Sequence, residues 1–139
     1  MIRYADDFVC CFQYLEEAQW FYEELEKRLL KFKLELSKEK TRLIKFTRFV
    51  TKKGERFTFL GFEYHWGRSR TGKPLVKMQT SKRKFKAAIA NLLFWIKAER
   101  GMFGTRALFV KIRQKLQVHW NYYGVSGNFE MLWKYYHQA

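Results

Sequence analysis

The spacing of apolar residues changes period along this chain, and each change predicts a new element. Ile2, Phe8, Val9, Cys10, Cys11 and Phe12 flank a polar tip, Tyr4-Ala5-Asp6-Asp7. That reads as strand, tight turn and strand over residues 2–12, the second strand buried and both aspartates at the tip. Ala18, Phe21, Tyr22, Leu25, Leu29 and Phe32 then recur at helical spacing and predict an amphipathic helix over 15–36. A connector over 37–42 follows. Residues 43–47 and 57–64 alternate like strands, joined by a turn near Lys52-Lys53-Gly54-Glu55. Gly67, Gly72 and Pro74 mark a loop over 66–74, and 75–78 reads as one more short strand.

Beyond this point the pattern is helical. Ser81 is placed to cap a helix with the stripe Phe85, Ile89, Leu92 and Ile96, ended by Gly101. Thr105 is placed to cap the next, with Leu108, Ile112, Leu116, Trp120 and Tyr123, broken by Gly124 and Gly127. A last helix over 129–137 carries Leu132, Trp133 and Tyr136. The expected class is therefore α+β: short antiparallel strands with one long helix over 1–78, then about three helices over 79–139.

Composition narrows the class. A chain of 139 residues that is 47% hydrophobic and 19% aromatic, with one proline, is globular and not disordered. No apolar run is long enough to span a bilayer, and the N-terminus opens on a charged strand, not a signal peptide. A cytoplasmic protein, bacterial or organellar and not secreted, is expected. Cys10 and Cys11 are neighbours on one strand and point to opposite faces, so they read as two small core residues and not as a disulfide. His65, His119 and His137 show no metal-ligand spacing with them.

Charge points to a polyanion. Lys plus Arg number 28 against 13 Asp plus Glu, a formal net charge of +15. After Lys38 the only acids are Glu39, Glu55, Glu63, Glu99 and Glu130, so the excess lies in the C-terminal part. A surface that served solubility alone would mix its signs. The adjacent aspartates suggest a second chemistry. Two carboxylates at one hairpin tip can reach the same pair of divalent ions, and hard Mg²⁺ takes oxygen ligands. The plainer alternative is a solvated turn.

Four segments, in order, resemble group II intron-type reverse transcriptases, or maturases. Tyr4-Ala5-Asp6-Asp7-Phe8 is similar to their catalytic hairpin. Leu34-Glu35-Leu36-Ser37-Lys38-Glu39-Lys40-Thr41 is similar to the segment after the palm helix. Phe59-Leu60-Gly61-Phe62 resembles the primer-contacting hairpin. His119-Trp120-Asn121-Tyr122-Tyr123-Gly124-Val125-Ser126-Gly127-Asn128 resembles the end of the thumb. Together the four span nearly the whole chain. The resemblance implies a partial reverse-transcriptase palm over 1–78 and a helical thumb, or maturase-specific region, over 79–139.

The resemblance also implies roles. Asp6 and Asp7 would hold Mg²⁺ and be catalytic in an intact RNA-directed DNA polymerase. Tyr4 would support the hairpin near the primer, and Gly61 would let the backbone approach the primer end. Lys38, Lys40, Arg68, Arg70, Lys73, Lys82, Lys84, Lys111, Arg113 and Lys115 would contact RNA or an RNA–DNA duplex through phosphate. By itself Gly61 could equally be a bulge in a core strand, and Trp120, Tyr122 and Tyr123 read more readily as helix packing than as a base-stacking platform. His119 reads as a surface or capping residue. The family's N-terminal half has no counterpart here, and Asp6 and Asp7 are the only aspartates. The chain is therefore expected to be inactive alone, to need a separate N-terminal half as partner, and to self-associate through an open palm edge. The alternative is a non-catalytic RNA-binding splicing cofactor.

Overall fold

The computed structural model describes residues 1–49 and 54–138. It is α+β, with two small antiparallel sheets and four helices among those residues. The strands are β1 (Ile2–Tyr4), β2 (Asp7–Val9), β3 (Phe57–Phe59), β4 (Phe62–Arg68) and β5 (Pro74–Thr80). The helices are α1 (Leu15–Lys31), α2 (Lys82–Glu99), α3 (Thr105–Tyr123) and α4 (Phe129–Gln138). Contacts divide the chain into two compact units, Met1–Thr47 and Arg48–Ala139. No helix among the described residues is long and apolar enough to cross a membrane.

In the first unit, β1 and β2 form a hairpin in the register Ile2↔Val9, Arg3↔Phe8 and Tyr4↔Asp7. The second strand of the hairpin expected over 2–12 is shorter than its apolar run. The ladder stops at Val9, which leaves Cys10 half-buried and Cys11 exposed instead of in a buried strand. Burial, the leading influence on the Cys10 thiol, pushes its pKa up. Helix α1 stops at Lys31, short of the expected residue 36. Its end is a Schellman motif: the Leu34 N–H donates to Leu29 O (3.0 Å), the Lys33 N–H donates to Leu30 O (3.0 Å), and Lys33 takes φ 57°. Residues 43–47, expected as a strand, have irregular backbone.

The second unit pairs β3, β4 and β5 in that order, both pairs antiparallel. Residues 57–64, expected as a single strand, are not one. Phe59 pairs with Phe62 around a two-residue turn, Leu60-Gly61, with φ 51° and 82°. Two positive φ values are the type I′ pattern, whose twist suits a hairpin, so Gly61 is a turn residue and not a bulge. The expected turn near 52–55 falls partly on Lys52 and Lys53, outside the described residues. Strand β4 continues through Trp66 and Gly67, and β5 extends to Thr80, so the loop shrinks to 69–73.

Ser81 caps α2 as expected, its Oγ accepting from the Lys84 N–H at 3.4 Å. Thr105 does not cap α3; it is the first helical residue, after Gly104. On α4 the buried residues are Leu132 and Tyr135, while Trp133 and Tyr136, two of the three expected, are exposed. The core is small: Phe62, Leu92, Leu132 and Tyr135 with Thr80, Ser81 and Asn128.

Asn128 is fully buried and joins three elements. Its Oδ1 accepts from the Thr80 N–H at 2.8 Å, and its Nδ2 donates to Thr80 Oγ1 and to Tyr123 O, both at 2.8 Å. Its carbonyl accepts from the Met131 and Leu132 N–H groups, opening α4. Asn128→Ala leaves a buried N–H and a carbonyl unpaired, so urea unfolding should show a loss on the order of 2–4 kcal/mol. Lys33→Gly should act oppositely. It relieves a left-handed lysine at an exposed helix end and should raise stability by about 0.5–1 kcal/mol in the same assay.

Candidate functional site

The acidic tip is a two-residue turn, Ala5-Asp6, between the paired Tyr4 and Asp7. Ala5 takes the left-handed conformation (φ 49°), costing about 1–2 kcal/mol for a residue with a Cβ. The Arg3 Nε–H donates to Ala5 O at 2.9 Å and braces the turn from its own strand. Sequence reasoning missed Arg3, although its place one residue before the Tyr4 end of the turn was visible. Asp6 and Asp7 are both exposed, as is Tyr4 opposite Asp7 on the same face of the hairpin. Two exposed carboxylates fit a Mg²⁺ ion, which is commonly held by one or two of them with water and phosphate oxygens completing the shell. Among the described residues no group of three or more His, Cys, Asp or Glu converges anywhere.

Also in the first unit, the Lys38 ammonium is 2.7 Å from Glu26 Oε1, and its pKa is raised by that hydrogen bond and charge. The Lys40 N–H closes a turn on Ser37 O at 3.1 Å, its side chain exposed.

In the second unit two of the four quoted motifs interlock. The Tyr122 hydroxyl donates to Leu60 O at 2.9 Å, and the Ser81 N–H donates to Gly61 O at 2.9 Å. A Cβ on Gly61 would meet Tyr123 Oη at 3.1 Å, so the helix end as well as φ favours glycine there. Phe62 stacks on Tyr122 (5.9 Å between centroids) and meets Tyr123 edge-on (5.2 Å). The ring chain continues through His119 (4.6 Å from Tyr123, 3.7 Å from Tyr135) to Phe85 (6.3 Å from Tyr135). Tyr123 is half-buried, whereas Trp120 and Tyr122 remain largely exposed. His119 is thus a packed ring and not a surface residue.

The basic residues fall into two kinds. Lys82, Lys84 and Arg113 are exposed on α2 and α3. Arg68, Arg70 and Lys73 are exposed at the β4–β5 tip. The Lys111 ammonium instead lies 3.6 Å above the Phe103 ring, and that of Lys115 lies 4.5 Å over Trp95, where cation–π attraction helps hold α3 to α2 and its loop. Glu63 is drawn off by Arg56 (2.7 Å) and Gln79 (2.9 Å). Burial works to raise its pKa, but those two hydrogen bonds together with the Arg56 charge outweigh it, and the net shift is down.

Residues 1–64 match the family model for reverse transcriptase (RNA-dependent DNA polymerase), a segment running from β1 through Tyr64 in β4. That segment is reverse-transcriptase-like in sequence. No curated protein and no solved structure matches the chain.

Burial holds the His119 pKa below its ordinary 6.5, and burial, then Arg56, does the same to His65. A lowered folded pKa means the unfolded chain binds more protons on acidification. Stability from these rings is therefore complete above the unfolded value and is lost as pH falls through the folded one. The urea midpoint should fall between about pH 7.5 and about pH 5, and His119→Phe, which keeps the ring stack, should flatten that fall.

Proposed function

We propose that this chain is the palm-and-thumb part of a group II intron-type reverse transcriptase or maturase, binding RNA or an RNA–DNA duplex. The observation that carries the reading is the tight turn displaying Asp6 and Asp7 inside the reverse-transcriptase-like segment. Asp6 and Asp7 hold Mg²⁺ and are the catalytic carboxylates. The chemistry the bound ions supply is activation of a primer 3′-hydroxyl and charge neutralisation on departing pyrophosphate. Arg3 and the left-handed Ala5 brace the backbone of the turn that carries the carboxylates. Tyr4 flanks the primer from across the hairpin. Exposed lysines and arginines of α2 and α3, and Lys40 of the first unit, neutralise phosphate.

A second reading is a non-catalytic RNA-binding module serving splicing. It is favoured by one observation: no third potential metal ligand joins the two aspartates among the described residues.

Primer extension on an RNA template separates the two. The purified chain alone should incorporate no nucleotide, because loss of one electrostatic group at such a centre costs on the order of 3–4 kcal/mol. Adding a separately produced N-terminal half of this enzyme class should restore Mg²⁺-dependent extension, and Asp6→Asn should abolish it. Extension that survives Asp6→Asn removes the catalytic assignment. RNA binding without any extension in the mixture favours the splicing module.

A further inference from the structure

The tip of the β4–β5 ribbon is more ordered than a solvated loop requires. Across loop 69–73 the Ser69 N–H donates to Lys73 O (2.8 Å) and the Gly72 N–H donates to Ser69 O (3.0 Å). The Lys73 N–H also donates to Ser69 Oγ (3.1 Å), which lies 2.9 Å from Thr71 Oγ1. Gly72 supplies the left-handed corner, at φ 78°. Ser69 is half-buried beneath the loop, while Arg68, Arg70 and Lys73 stand exposed around it. None of these three takes part in an ion pair among the described residues. The acid on the same ribbon, Glu63, is already taken by Arg56 and Gln79.

We infer that this tip is a built phosphate clamp for duplex RNA, separate from the lysine-rich helices. The inference rests on the RNA-binding reading above and gives it a defined contact. Guanidinium groups grip phosphate oxygens bidentately, and a loop already closed by its own hydrogen bonds loses little freedom on binding. The loop carries no apolar side chain, so it has nothing to insert into a lipid surface. Duplex RNA presents closely spaced phosphates beside a wide, shallow groove that admits a narrow ribbon tip.

The test is fluorescence anisotropy of the full chain on a labelled mixed-sequence RNA duplex, titrated over salt, with circular dichroism to confirm folding. Replacing Arg68, Arg70 and Lys73 by Gln should weaken binding at least tenfold and lower the log–log salt slope by about 2–3. Ser69→Ala keeps every cation but removes the loop's side-chain hydrogen bonds. It should weaken binding several-fold with the slope unchanged. If the parent chain binds and the triple variant matches it in affinity and slope, the tip does not touch RNA and the inference fails while the RNA reading stands. If Ser69→Ala binds like the parent, the tip is charge without a built site, and the inference fails again. If the parent itself does not bind, both readings fall.

Discussion

A carboxamide can be buried only if its donor and acceptor atoms find partners, because each unpaired group costs about as much as a well-packed side chain contributes. Asn128 meets that condition by reaching outside its own segment. Its oxygen takes the N–H at the end of β5, and its nitrogen reaches the Thr80 hydroxyl and the last turn of α3. Sheet and helices are thereby fixed at one point. From there the ring chain Tyr122, Phe62, Tyr123, His119, Tyr135 and Phe85 spreads the contact toward α2 and α4. With so few fully buried apolar residues, the unit relies on hydrogen-bonded and aromatic geometry more than on a large apolar core.

Electrostatics divide the chain differently from its fold. The acidic tip stands on a hairpin of three-residue strands, stiffened by one guanidinium contact and a left-handed alanine. The positive charge lies mostly on helices and on a closed loop, and part of it is already spent on aromatic rings and on Glu26. Counting lysines therefore overstates the charge free to meet a polyanion.

The α+β class, the N-terminal hairpin and the four helices were legible because the periods of strand and helix differ. What the pattern could not show were features set by tertiary partners. The end of α1 depends on Lys33 adopting a left-handed corner, which an unbroken apolar stripe does not announce. Gly67 looked like a loop residue, yet it lies within β4, where the Lys77 stem fills the space a side chain would take. Helix α4 is apolar on several sides, so periodicity could not choose Tyr135 over Trp133. The shape of the Asp6–Asp7 hairpin was readable because turn and flanking strands are local. The surroundings of Lys38, Lys111 and Lys115 were not, since no local pattern says what a cation will face. A lone asparagine ahead of a helix reads as an ordinary cap, so the reach of Asn128 across 48 residues was invisible.

That reach has a consequence for biosynthesis. A ribosome releases β3, β4 and β5 well before Asn128 and Tyr135 emerge. Until then the Thr80 amide has no carboxamide to meet, and Phe85 has no ring from α4. The sheet and α2 can form as fluctuating local structure but cannot lock. Closure of the second unit is therefore a late event that waits on Asn128 and Tyr135. During that interval the exposed strands and aromatic rings are open to chaperones or to other nascent chains.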